Sequence, residues 1–307
     1  MSPKKEIINI AVSVRDRLGK IAKERGEDFS FTVSRFAIER FLYRLSLSHH
    51  ADKFILKGAQ LFRLWTDLPY RPTRDLDLLG VAVHGYDKLV EEFRSICLQS
   101  VEARDGIEFQ PDSIRWEEIR EQNEYHGVRL KIGYNLGSIR DRMQVDIGIG
   151  DRVFPKPETV DFGSMLDLPS PRILAYPKEA VVAEKFHAMV QLGMANSRMK
   201  DFFDLYVMAK EFRFDGRTLK ETIQNTFTRR GLQLPERTPL ALTEAFAKDK
   251  LKQAQWTGFL KKSGLKVGQT DLQTIVNLLE NFLMPPSVAS VRGDCFDRYW
   301  LPGGPWE

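Results

Sequence analysis

The sequence predicts an α+β fold in two parts, a β-sheet flanked by helices followed by a helical C-terminal domain. Five prolines within residues 151–177 indicate a connector, and from Lys178 onward apolar residues recur at helical spacing. We therefore expect an N-terminal domain at 1–168 and a C-terminal domain at 169–307. Three strand-like runs support the sheet: residues 113–120, 128–134 and 142–149.

Composition narrows the class of protein. The 307 residues are 42% hydrophobic and 29% charged, which is typical of a globular chain with a sizeable core. No apolar run approaches the ~20 residues that span a bilayer, and the N-terminus lacks the apolar stretch of a signal peptide. Cys97 and Cys295 are too far apart in sequence to indicate a zinc motif or a disulfide framework. We expect a cytoplasmic protein with no membrane partner.

Two helices are predicted before the sheet, at Ile7–Arg25 and from a cap at Ser30 or Thr32 to about Ser46. Residues 1–50 hold ten Lys or Arg and six Asp or Glu, which equals the net charge of +4 of the whole chain. This charge is compatible with a face that binds nucleic acid, and equally with a solvated helix surface. The arginines that decorate the second helix are Arg35, Arg40 and Arg44.

The stretch Lys57–Gly80 (KGAQLFRLWTDLPYRPTRDLDLLG) contains the first candidate site. Phe54 to Leu56 form a short apolar run typical of a buried strand, Gly58 follows, and Ala59–Trp65 is helix-like. A glycine turn between a strand and a helix can present backbone N–H groups and the helix dipole to a phosphate. The segment is therefore a candidate phosphate-binding loop.

A D-x-D pair closes this stretch. If residues 74–79 form a strand, Asp75 and Asp77 project to the same face, because side chains alternate along a strand. Paired carboxylates suit Mg²⁺ or Mn²⁺, although acidic residues at a strand end are also often only solvated. Asp146 projects in the same manner from the otherwise apolar strand 142–149. It is a candidate third carboxylate, or a solvent-facing aspartate.

The second candidate site lies in the helical half. Helices are predicted at Lys178–Leu192 and Lys200–Phe212, and further ones at 218–227, 240–262 and 272–283. Lys185 on the first helix has apolar neighbours, so it is either a functional cation or a surface lysine with a buried stem. Asp201 and Asp204 share one face of the next helix, although acidic residues in a first turn also stabilise the helix dipole.

Two motifs in this order resemble one family. The strings KGA…RPTRDLDLL and AEKFHAMVQLGMANSRMKDFFDLYVMAK are similar to AbiEii/AbiGii-type toxins, within the DNA polymerase β-like nucleotidyltransferase superfamily. The resemblance implies a mixed β-sheet and an active site to which the helical domain contributes. It implies that Asp75, Asp77 and Asp146 are catalytic and hold Mg²⁺ or Mn²⁺.

The resemblance also implies that Lys185 contacts the triphosphate and that an aspartate of the Asp201/Asp204 pair completes the site, with Asp201 slightly favoured. Ala59 stands where the superfamily often has serine, so a hydroxyl contact to phosphate would have to come from Thr73 or from the backbone. The full set expected to bind the nucleotide is Lys57, Gly58, Ala59, Thr73, Arg74, Lys185, Arg198 and Lys200.

The function implied is that of a toxin in a type IV toxin–antitoxin pair, with its antitoxin encoded nearby. Such an enzyme would transfer NMP from an NTP to an RNA acceptor, expected to be the 3′ end of tRNA, and so inhibit translation. One alternative is the same chemistry on a protein acceptor. Another is a non-catalytic module whose basic N-terminal helices bind nucleic acid. The sequence does not specify the NTP, the acceptor or the oligomeric state.

Overall fold

The structure, a computed structural model, describes residues 9–65, 73–81, 85–120, 126–150, 153–264 and 271–307. The Pro-bearing part of the loop ahead of the D-x-D pair lies outside these residues, as does Ile7. Contacts between α-carbons divide the chain into two units. The first comprises residues 1–152 and 157–176, and the second comprises residues 153–156 and 177–307.

The first unit contains a seven-stranded mixed sheet with helices. Its described helices are α1 (Ile10–Arg25), α2 (Phe29–Leu47), α3 (Phe62–Trp65) and α4 (Tyr86–Cys97). Its described strands are β1 (Phe54–Lys57), β2 (Asp75–Gly80), β3 (Ile107–Arg120), β4 (His126–Leu136), β5 (Ile139–Ile149), β6 (Glu158–Asp161) and β7 (Arg172–Ala175). The strand order is β3-β4-β5-β2-β1-β7-β6, in which β2 pairs with β5 and β1 with β7 in parallel. The predicted α+β fold with a mixed sheet is confirmed.

Aromatic side chains form much of the core on one face of this sheet. Phe41 of α2 stacks on Phe93 of α4 with 5.6 Å between ring centroids, and it contacts Phe109 of β3 edge-on at 5.5 Å. Phe54 of β1 meets Phe93 at 5.1 Å. All four rings are buried, so α2 and α4 cover the apolar face of the sheet. The opposite face carries the polar residues of the same strands.

The predicted ends of the first two helices agree only partly with the structure. Gly26 ends α1 as expected, with a left-handed φ of 62° and its N–H directed at the carbonyls of Ala22 and Lys23. The cap of α2 is Asp28 rather than Ser30 or Thr32: its carboxylate accepts a hydrogen bond from the Phe31 N–H at 3.2 Å. The three predicted strands are longer than expected, at the N-terminal ends of β3 and β5 and at both ends of β4. Cross-strand pairing extends beyond the runs of apolar residues.

The second unit is mainly helical. Its described helices are α5 (Lys178–Leu192), α6 (Met199–Glu211), α7 (Gly216–Arg229), α8 (Glu244–Lys248), α9 (Lys250–Ser263) and α10 (Leu272–Arg292). A small antiparallel pair, β8 (Phe214–Asp215) with β9 (Tyr299–Trp300), completes it. The single helix predicted at 240–262 is interrupted, because Asp249 has extended backbone and caps α9. Helix α10 continues beyond its predicted end through two prolines. None of the described helices is both long and apolar enough to cross a bilayer.

The C-terminal tail is docked within the second unit. The indole Nε1 of Trp300 donates to the carbonyl of Ala209 at 2.7 Å, and that of Trp306 donates to the carbonyl of Phe282 at 3.1 Å. Both indoles are buried. The boundary predicted after residue 168 falls inside the first unit, because strand β7 follows it and pairs in parallel with β1.

The arginines of α2 do not form a nucleic-acid surface. Arg44 is buried and makes a bidentate ion pair with Asp105, with nitrogen–oxygen distances of 2.7 and 3.1 Å. Arg40 is also buried, between Glu39 at 2.8 Å and the carbonyl of Pro169 at 2.9 Å. Arg35 is mostly buried and binds Glu27. A module that binds nucleic acid through these three side chains is therefore contradicted.

We expect Arg44→Met to lower the free energy of unfolding by about 3–5 kcal/mol, because it leaves the carboxylate of Asp105 buried without its cation. Urea denaturation followed by circular dichroism measures this. Arg17→Met is the matched control: it breaks an exposed ion pair with Asp167, worth at most about 1 kcal/mol. Equal losses in the two variants would contradict the structural role assigned to Arg44.

Candidate active site

Four charged residues form one row across the polar face of the sheet. Lys57 of β1 is in register with Asp77 of β2, Asp77 with Asp146 of β5, and Asp146 with Arg129 of β4. Residues in register on neighbouring strands point to the same face about 4.8 Å apart. The row thus runs cation, carboxylate, carboxylate, cation. Asp75 lies two residues before Asp77 on the same face.

The close approach of Asp77 requires a glycine at position 58 of the predicted phosphate-binding loop. Gly58 has a φ of 72°, and a Cβ added to it would lie 2.0 Å from Oδ2 of Asp77. The carboxylate of Asp77 therefore packs directly on the glycine backbone. A 3₁₀ turn over Gly58–Leu61 precedes α3, and within it the buried Gln60 donates to the carbonyl of Asp75 at 3.3 Å. This bond ties the loop to the start of β2.

Asp146 is held by its neighbour on the hairpin. Both of its carboxylate oxygens accept a hydrogen bond from Arg129, from Nε and Nη2, each at 2.8 Å. The amide of Gln144 donates a longer third bond at 3.4 Å. These hydrogen bonds to Asp146 raise the pKa of Arg129 above its ordinary value. Arg129 therefore keeps its positive charge at neutral pH.

The donor chemistry of this face fits a hard divalent cation. Asp75, Asp77 and Asp146 offer carboxylate oxygens from two adjacent strands, the ligand type that Mg²⁺ and Mn²⁺ take. Among the described residues, no three His, Cys, Asp or Glu side chains are gathered into a group that could hold a metal ion. Asp146 instead directs both of its carboxylate oxygens at Arg129.

Besides Gly58, four residues of the predicted nucleotide-binding set belong to this unit. The ammonium of Lys57 reaches over β5, since a Cβ added to Gly148 would lie 2.7 Å from its Nζ. Arg74 turns to the start of α2, where Nη2 donates to the hydroxyl of Ser30 at 2.8 Å. Ala59 is buried and Thr73 is half-buried. The structure thus places Lys57 on the carboxylate face and Arg74 at the α2 N-terminus.

The second unit gathers its own charged group. Nζ of Lys185 on α5 lies 2.6 Å from Oδ1 of Asp201 and 2.8 Å from Oδ2 of Asp204, both on α6. Arg198, the residue before α6, places its Nε 2.6 Å from Oδ2 of Asp201. Lys200 is exposed. The structure therefore brings together Lys185, Asp201, Asp204 and Arg198, and the ion pairs rule out a surface lysine with a free head group.

Burial strengthens the electrostatic interactions between the charges in this group. Both aspartates are 1% exposed. Burial alone would lower the pKa of Lys185, but the carboxylates of Asp201 and Asp204 raise it above its ordinary value. Burial alone would likewise raise the pKa of Asp201, yet Lys185 and Arg198 lower it. Lys185 and Asp201 are therefore both ionised at neutral pH.

Two residues that the sequence did not single out hold the turn before α6. The side-chain oxygen of the buried Asn196 accepts a hydrogen bond from the backbone N–H of Arg198 at 2.8 Å. The carbonyl of Asn196 accepts one from Nζ of Lys252 on α9, also at 2.8 Å. Lys252 is 3% exposed. These bonds fix the backbone from which Arg198 reaches Asp201.

The profile of one protein family, described as nucleotidyl transferase AbiEii toxin of type IV toxin–antitoxin systems, matches residues 40–278. The chain belongs to the AbiEii family. It is accordingly a nucleotidyltransferase of a toxin family, with a nucleotide substrate and an antitoxin partner. The resemblance drawn from the two motifs is confirmed, and a non-catalytic nucleic-acid-binding module is excluded as its function.

Two solved structures from Helicobacter pylori are similar to this AbiEii chain. One, described as a candidate nucleotidyltransferase, is 16% identical, with 84% of this chain and 95% of that chain covered and a TM-score of 0.46. The other, JHP933, is 15% identical, with 83% and 89% covered and a TM-score of 0.43. Likeness at this level supports no functional inference. A search of the curated proteins found no match.

Arg129 is the residue of this AbiEii site that sequence reasoning missed, although a signal for it existed. Gly137, with a φ of 60°, forms a two-residue turn with Ser138 between β4 and β5. Counting equal steps from that turn along both strands pairs Arg129 with Asp146. Asn196 and Lys252 had no comparable signal, since their contact joins segments far apart in sequence.

We expect Gly58→Ala to destabilise the protein by more than the strain of a left-handed alanine, because its Cβ would overlap the carboxylate of Asp77. Gly163→Ala is the control: its φ of 75° carries the same strain of about 1–2 kcal/mol, and its Cβ would meet nothing within 4 Å. Urea unfolding of both variants measures the difference. Equal costs would show that Asp77 does not pack on Gly58.

We expect Lys185→Met to cost about 3–5 kcal/mol near neutral pH, because two buried carboxylates lose their shared cation. The pKa of Asp201 is lowered from 3.8, so its contribution is present above that value and is lost as the pH falls through the lower folded value. The pKa of Lys185 is raised from 10.5, so its contribution persists below 10.5 and is lost as the pH rises through the higher folded value.

The stability difference between wild type and Lys185→Met should therefore be largest between about pH 4 and 10 and should shrink in acid. Urea unfolding at neutral pH and again below about pH 4 measures the change. Lys248→Met, which breaks an exposed pair with Glu244, should cost at most about 1 kcal/mol. A difference for Lys185→Met that does not change with pH would contradict the ion pairing.

Proposed function

We propose that this AbiEii protein transfers NMP from an NTP to an RNA acceptor, with the 3′ end of tRNA as the expected target, and thereby inhibits translation. The observation that carries the proposal is the register of Asp77 with Asp146 beside the Gly58 loop. It provides carboxylates for a divalent cation and a glycine turn for phosphate on one sheet face. The family membership supplies the reaction class.

In the first unit, Asp75, Asp77 and Asp146 would hold Mg²⁺ or Mn²⁺. When bound, the metal would neutralise phosphate charge and lower the pKa of the acceptor hydroxyl. The backbone at Gly58 and Ala59 would bind phosphate oxygens through its N–H groups, with Lys57 adding positive charge on the same face. Thr73 and Arg74 would contribute from the segment leading into β2.

In the second unit, we propose that Lys185 contacts the phosphates of the NTP, aided by Arg198 and Lys200. A fixed cation stabilises the negative charge that develops as the pyrophosphate leaves. Asp201 and Asp204 hold Lys185 by ion pairs of 2.6 and 2.8 Å, so its ammonium is positioned before substrate binds. Asp201 also positions Arg198, which supports assigning it the larger role of the two aspartates.

The acceptor is proposed to be RNA because basic side chains adjoin the carboxylate row. Four of them are exposed on strands β3, β4 and β5, on the face that carries Asp146: Arg115, Lys131, Arg140 and Arg142. Glu117 offsets part of this charge through its ion pair with Lys131 at 3.2 Å. A basic surface beside the reacting group favours a phosphodiester acceptor over a protein hydroxyl. We expect the toxin to act in the cytoplasm, where tRNA and NTPs are available.

We expect Asp77→Asn and Asp146→Asn each to reduce transfer by about 100-fold or more, because each removes a charged metal ligand. The assay incubates purified protein with Mg²⁺, total RNA and each of the four NTPs labelled at the α-phosphate, and separates RNA from protein. Asp141→Asn is the control, since Asp141 lies on β5 but on the opposite face. It should retain near-normal transfer.

The same variants are tested in growing cells. Expression of the wild type should arrest growth, and Asp77→Asn should relieve the arrest. Label in protein but not RNA would overturn the RNA acceptor and support nucleotidylation of a partner. Label in neither, together with growth unaffected by Asp77→Asn, would overturn the proposed chemistry.

A further inference from the structure

Arg129 forms the end of the charged row beside Asp146 and has no role in the proposed reaction. We propose that Arg129 is a built-in counter-ion of the active site, which holds Asp146 until a divalent cation replaces it and which therefore competes directly with that cation. The inference rests on the proposed function, because it requires Asp146 to be a metal ligand.

The geometry places Arg129 where it would compete electrostatically with a bound cation. Arg129 takes both oxygens of Asp146 in the parallel two-point arrangement that is the strongest form of an arginine–carboxylate pair. Asp146 is 19% exposed at its side chain, so water screens the pair only partly. The positive guanidinium lies against both oxygens, so a metal ion that coordinated either of them would be repelled by Arg129 at short range.

Charge explains why such a counter-ion is needed. Asp77 and Asp146 are adjacent on parallel strands, so their carboxylates repel each other when no cation lies nearby. Lys57 and Arg129 stand at the two ends of this row and balance its charge. The sheet can therefore fold with the carboxylates in register before any metal is bound.

Arg129 has a second partner to which it can turn. Its Nη1 lies 3.8 Å from Oε1 of Glu117 on β3, the residue in register with it on the side away from Asp146. Glu117 is about half exposed and also pairs with Lys131. When a metal takes Asp146, the guanidinium can keep an ion pair by moving toward Glu117. Release of Asp146 thus leaves no uncompensated charge on the face.

The test is the affinity for Mn²⁺ without nucleotide, measured from the electron paramagnetic resonance signal of free Mn²⁺. Arg129→Gln should bind Mn²⁺ about tenfold more tightly than wild type, equivalent to about 1.4 kcal/mol. Arg129→Lys, which keeps the charge but loses the two-point bond, should fall between them. Thermal unfolding gives a second readout: Arg129→Gln should unfold at a lower temperature without metal and regain stability with Mn²⁺.

Lys131→Gln is the matched control, because Lys131 is two residues away on the same face of β4 and binds Glu117. It removes the same charge, and screening should limit its effect to about threefold or less. Arg129→Gln binding Mn²⁺ no more tightly than Lys131→Gln would overturn the inference, as would no Mn²⁺ binding by either wild type or Arg129→Gln. Asp77→Asn separates the two proposals: lost Mn²⁺ binding in that variant supports the metal site whatever Arg129 does.

Discussion

The parallel register of β2 against β5 is the constraint on which the first unit depends. Leu76 and Leu78 are fully buried on one side of β2, and Val145 and Ile147 are fully buried beside them on β5. Because side chains alternate with a period of two, a slip of one residue would place carboxylates in the core and leucines in water. The hydrophobic core thus fixes which aspartates stand next to each other.

Both units hold their acidic residues against fixed cations. In the first, Arg129 binds Asp146, and in the second, Lys185 lies between Asp201 and Asp204. Burying a carboxylate without a partner is costly, so each unit can keep these groups ionised only by supplying a counter-charge of its own. In the proposed function, Lys185 would also contact the phosphates of the NTP. A side chain that balances charge in the fold would then also serve the proposed phosphate chemistry.

Burial, more than composition, decides what a charged residue does in this chain. The net positive charge of the N-terminal fifty residues suggested a surface for nucleic acid, yet Arg40 and Arg44 lie in the core and bind Glu39 and Asp105. Glu39 belongs to the same helix as Arg40, whereas Asp105 is sixty-one residues away from Arg44 in the sequence. The exposed basic residues beside the carboxylates come instead from the β3–β5 strands.

The sequence by itself determined the α+β class, most of the helices, the strands β3 to β5 and the AbiEii family, because side-chain periodicity and short motifs are encoded within a few neighbouring residues. It also placed Asp75 and Asp77 on one face of a strand. Only the tertiary structure decided that Asp146 stands beside Asp77 and that Arg129 holds it. Those partners depend on parallel pairing and hairpin register, which are set by how distant apolar residues pack together rather than by any local pattern.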